Sequence, residues 1–127
     1  MKAMQRVISK IIENHGRTAE FQAALASRDS FHLKVEKKHY MPLVIETTPE
    51  GMISVAHYYT QEGDLMRDPE VVYTADGWFP VQYVQDNLGI YQEAGPGRYL
   101  KGAAEFSTIW AKNLTAQGFT EKELTHA

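Results

Sequence analysis

The segment PLVIETTPEGMISVAHYYT, residues 42–60, carries two runs rich in Val, Ile, Thr and Tyr, at 42–47 and 52–60, on either side of Pro49-Glu50-Gly51. Such residues suit half-buried pleated backbone, and Pro-x-Gly supplies the backbone angles of a tight turn. The segment therefore predicts two antiparallel strands joined as a hairpin. The same grammar continues on both sides. Toward the C-terminus, runs at 69–74 and 78–84 flank Ala75-Asp76-Gly77, and a weaker run at 89–93 follows; toward the N-terminus lies a run at 31–35. Consecutive hairpins imply an antiparallel meander of five to six strands. These boundaries make 61–68 its longest loop.

Outside the sheet the apolar period changes from two to about 3.6. Met4, Val7, Ile8, Ile11 and Ile12 mark one face of a first helix closing near Asn14 to Gly16, and Thr18 is placed to cap a second short helix bearing Phe21, Ala24 and Leu25. After Gly95-Pro96-Gly97, the residues Tyr99, Ala103, Phe106, Trp110 and Leu114 trace a last helix ending at Gly118. The expected fold is α+β, one domain over residues 1–127, with N-terminal helices and the C-terminal helix packed on one face of the sheet.

Composition narrows the function classes. Zero cysteines exclude thiol catalysis, thiolate metal sites and disulfides. The N-terminus intersperses Lys2, Arg6 and Lys10 among its apolar residues, unlike a signal peptide, and no apolar run is long enough to span a membrane. A cytoplasmic protein without membrane association is expected. The net charge of −3 argues against duplex nucleic acid as a partner. That charge is unevenly spread: residues 1–40 hold eight bases and four acids, whereas 60–96 hold seven acids and one base. The acidic band reads either as a solvated rim or as a docking surface for a basic partner.

Chemical density is confined to HYYTQEGDLMRDPE, residues 57–70. His57, Asp64, Asp68 and Glu70 could hold Mg²⁺ or Mn²⁺ if they met at one point, giving a metal-dependent hydrolase. Their spacing matches no EF-hand, His-Glu-x-x-His or phosphate-loop pattern. Gly63-Asp64 and Asp68-Pro69 also read as turn chemistry, and His57 as a satisfied core histidine. His15, His32, His39 and His126 form no ligand pattern, and no serine sits in a nucleophile elbow. The strand aromatics, among them Tyr58, Tyr59, Tyr73, Trp78, Tyr83 and Tyr91, alternate between faces, so a face without helices would be an aromatic binding surface.

The run His57-Tyr58-Tyr59, Gly63-Asp64-Leu65 and Asp68-Pro69-Glu70, followed by Asp86, Gly89 and Tyr91, resembles an uncharacterised family of small domains of unknown function from bacterial, plasmid and phage-encoded proteins, over about residues 40–95. The resemblance implies a mobile-element context and no mechanism. Two readings follow. The first is a non-enzymatic accessory or regulatory module that binds an unidentified protein, needs no cofactor and is compatible with a homodimer. Its surface would include His57, Tyr59, Glu62, Asp64, Asp68, Glu70, Trp78, Asp86 and Tyr91. The second is the hydrolase.

Overall fold

A computed structural model describes residues 1–122. Helices α1 (Ala3–Asn14) and α2 (Thr18–Ser27) precede strands β1 (His32–Val35), β2 (Leu43–Thr47), β3 (Ile53–Gln61), β4 (Asp64–Tyr73), β5 (Pro80–Gln85) and β6 (Ile90–Glu93), and α3 (Lys101–Ala116) follows. The six strands lie in sequence order, each antiparallel to the next. The fold is the expected α+β meander with helices at both ends.

The helices cover one face. Met4, Ile8, Ile11 and Ile12 of α1 and Trp110, Ala111 and Leu114 of α3 are buried with Leu33, Leu43, Ile45, Ile53, Val55, Val71 and Tyr73 of the sheet. Phe21 of α2 meets Phe31 edge-on at 5.1 Å between ring centroids and closes the β1 side.

Four local expectations are corrected. Residues 61–68 form no long loop: β3 runs to Gln61, β4 starts at Asp64, and only Glu62-Gly63 turns between them, both with positive φ. Period-two reading missed this continuation because exposed polar residues occupy both sides of a hairpin that projects beyond the helices. The strand is interrupted at a cis Asp68-Pro69 bond, where two residues of β4 face His57 alone and the pairing shifts between Ala56 and Tyr58. Trp78 does not begin β5; at φ 55° it sits in the turn and buries its indole against Tyr73, 5.4 Å between centroids. Tyr99 precedes α3, stays exposed and stacks on Phe79, because the helix starts two residues later. Finally Arg17, not Thr18, stands at the N-cap of α2 and supplies no side-chain cap.

Candidate functional site

Alternation along β3 divides the chemistry of the 57–70 segment between two faces. Ile53, Val55 and His57 turn toward the helices, and Ser54, Ala56 and Tyr58 toward the opposite, helix-free face. His57 is buried between Trp110 and Phe119, 5.6 and 5.8 Å between ring centroids. Its Nδ1–H donates to the carbonyls of Met41 and Pro42, at 3.0 and 3.2 Å. Burial pushes the imidazole below its ordinary value, against the opposing pull of the two carbonyls and of Asp68. The histidine is a core residue that anchors the start of β2.

A pH dependence follows from this. The folded chain holds His57 neutral, while the unfolded chain takes up its proton near the ordinary value of 6.5. Its contribution to stability is therefore full above about pH 6.5 and declines as pH falls through the lower folded pKa. Denaturant melts between pH 7.5 and 5 are expected to show a slope that His57→Gln flattens; an equal slope in the variant would place the proton uptake elsewhere.

On the helix-free face, Arg67 is the hub. Its Nε and Nη2 grip the Asp86 carboxylate at 3.0 Å each, its backbone N–H donates to Asp86 Oδ2 at 2.8 Å, and its Nη1 lies 3.7 Å from Glu70 Oε1. Ser54 Oγ–H donates to the other Glu70 oxygen at 2.6 Å. The guanidinium and amide hold the Asp86 carboxyl below the usual carboxylate range. Tyr58 shares this neighbourhood, and burial reinforced by Glu70 and Glu46 pushes its phenol up to about 12. A phenol so shifted stays protonated near neutrality and is no general base.

The remaining candidate residues disperse. Glu62 is exposed in the turn and Asp64 exposed opposite Gln61. Asp68 accepts from Gln85 Nε2 at 2.9 Å, and Gln85 in turn accepts from the Tyr83 hydroxyl at 2.7 Å, on the side where Tyr83 meets Phe106 of α3. Tyr59 is half-buried beside Met66, and Trp78 lies in the core rather than at a surface. Tyr91 is 59% exposed on β6, within 3.3 Å of Gln82 Nε2.

The expected metal cluster of His57, Asp64, Asp68 and Glu70 is corrected here. Asp64 and Glu70 stand six residues apart on one strand, roughly 20 Å at about 3.3 Å per residue, and His57 and Asp68 turn toward the helices while Glu70 is held by Ser54 and Arg67 on the other face. Among the described residues no three His, Asp or Glu side chains form a group that could hold a metal ion. His126 lies outside the described residues. Ser54 and Arg67 were missed by sequence reasoning and Tyr58 was read only as a strand aromatic, although Arg67, the single base among residues 60–96, was the signal that a carboxylate cluster there required a counter-charge.

The helix-free face also has relief. Ala56, Val72 and Val84 lie at its floor, each at most 6% exposed and none of them in the cluster beneath the helices. Two concavities flank the Arg67 hub. One of about 520 Å³ lies over β1 to β4, between Lys34, Val44, Tyr58 and Leu65. The larger, about 910 Å³, runs from the β2–β3 turn to residues 93–99. Among the described residues no helix is long and apolar enough to cross a membrane. No curated protein and no solved structure matches the chain. One family model does match, over residues 6–120, well beyond the 40–95 of the sequence resemblance and across most of both helical arms, so the chain belongs to the domain-of-unknown-function family DUF6908.

Proposed function

We propose that this chain is a non-enzymatic protein-binding module, an accessory or regulatory factor of a mobile element acting in the cytoplasm, and that it receives its partner on the helix-free face of the sheet. The observation that carries the reading is the state of the carboxylates on that face. Glu70 and Asp86 are engaged by Ser54 and Arg67, and the others are spread along β4 and the turns rather than converging on one point. Hydrolysis needs convergent groups at reacting distance; recognition needs an extended surface of mixed character. Exposed Leu65 and Tyr91 supply the apolar part of such a surface. The mobile-element context rests on the resemblance of residues 57–91 alone.

Site-specific photocrosslinking tests the reading. A photoreactive amino acid at position 91, on β6, is expected to give a crosslinked species of defined mass in the native host. The same probe at Ile109, equally exposed on α3 at 59%, is expected to give none. No product from position 91, or the same product from both positions, would overturn it.

A further inference from the structure

The larger concavity on the helix-free face is built from three kinds of group. Its floor is apolar, with Met52 from the β2–β3 turn, Val72 from β4 and Val81 from β5. Its rim carries Glu50, Asp76 and Glu93 against a single base, Arg98. Its end wall holds the stacked rings of Phe79 and Tyr99, 5.3 Å between centroids. Among the described residues no Lys, Arg or His side chain pairs with Glu50, Asp76 or Glu93.

Carboxylates outnumber bases on the groove's rim, three to the one guanidinium of Arg98, while Lys2 sits on the end wall and the Arg28 side chain lies beside Gly51. Residues 41–96 contain nine carboxylates and one guanidinium, and that guanidinium, Arg67, is already shared between Asp86 and Glu70. The chain itself shows what such a wall accepts: the Lys2 ammonium lies 3.6 Å from the centroid of the Phe79 ring and donates to the Gly77 carbonyl.

From these observations we infer that the groove bounded by Glu50, Asp76 and Glu93 binds an extended, positively charged peptide segment of a partner protein, with Lys or Arg residues flanking an aliphatic or aromatic one. The inference rests on the protein-binding reading above and names where and by what chemistry the partner is held. A Lys or Arg stem matches the site twice over, because its methylenes cover Val72 and Val81 while its head reaches the rim carboxylates. A segment of several residues suits a volume of about 910 Å³ that opens along the sheet, near the upper end of about 300–1,000 Å³ for pockets that enclose one small ligand. Nucleic acid is disfavoured because its phosphates would meet the carboxylates.

Selection of a phage-displayed random decapeptide library on the intact chain tests this. Enriched peptides are expected to carry at least two Lys or Arg beside an aliphatic or aromatic residue. A synthetic fluorescein-labelled peptide of the enriched sequence is expected to bind by anisotropy, with affinity falling as salt rises. The double variant Glu50→Lys/Glu93→Lys, at two exposed positions, is expected to weaken binding at least tenfold while its melting curve matches wild type. A Lys/Arg→Glu version of the peptide is expected not to bind. Enrichment of neutral or acidic peptides, or unchanged affinity in the double variant, would overturn the inference. If that happens while position 91 still crosslinks a partner, the groove assignment fails and the protein-binding reading stands; if position 91 gives no product and basic peptides still bind in the groove, the reverse holds.

Discussion

Replacing Trp110 by alanine is expected to cost about 3 to 5 kcal/mol of folding stability, the usual range for deleting a large buried aromatic side chain. The indole is 4% exposed on α3 and touches two elements at once, with Phe106 at 5.6 Å on its own helix and His57 at 5.6 Å on β3. Its removal opens a cavity where α3 meets the sheet's third strand, and neither neighbour can close the gap without leaving its own contacts. Chemical denaturation of Trp110→Ala against wild type measures the loss. A value below about 1 kcal/mol would mean that the site collapses around the smaller side chain or that α3 contributes little to the fold.

The second large effect is expected at Tyr73, and there two substitutions separate packing from hydrogen bonding. Tyr73 is 1% exposed, packs on Trp78 and sends its hydroxyl to Ser107 Oγ at 2.6 Å. Ser107 donates its own proton to the Ala103 carbonyl at 2.7 Å, so the phenol is the donor of the pair. Burial raises the phenol's pKa well above its ordinary value, and it remains a donor throughout the accessible pH range. Tyr73→Ala is expected to cost about 3 to 5 kcal/mol, as for other large buried aromatics. Tyr73→Phe removes only the donor, and Ser107 keeps its bond to Ala103, so the expected cost is about 1 kcal/mol. Equal losses in the two variants would assign the whole contribution to the hydroxyl and contradict the packing account.

Where the sequence placed its candidate residues, and where it failed to, have identifiable causes. Asp86, Glu70 and Tyr91 were singled out, and all three lie on or beside the helix-free face. Trp78 was singled out with them but is buried, because a left-handed turn residue with φ of 55° leaves the strand's alternation and need not keep the face that period two assigns it. His57 and Asp68 were grouped with Glu70 by proximity in sequence. On a strand, proximity in sequence means opposite faces as often as the same one, and the irregularity at Asp68-Pro69 shifts the parity once more. The groove beside Glu50 and Glu93 was invisible for a different reason: its lining comes from segments between Thr48 and Tyr99 that are far apart in sequence and are brought together by the pairing of the strands.

The amino-acid sequence by itself determined the order of elements, the antiparallel meander and the apolar faces of α1 and α3, because each depends on interactions among residues a few positions apart: turn chemistry, the period of two and the period of 3.6. It also determined the acidic character of residues 60–96, which is a matter of composition. Only the tertiary structure decided which face of the sheet the helices cover, and hence that His57 is a core residue while Ser54, Tyr58 and Arg67 form a polar hub in a relief of two concavities. The physical reason is the helix docking, which chooses the buried face and so places His57, together with the bulge in β4, whose one-residue change of register puts Arg67 on the same face as Glu70; both are set by long-range packing rather than by any local pattern.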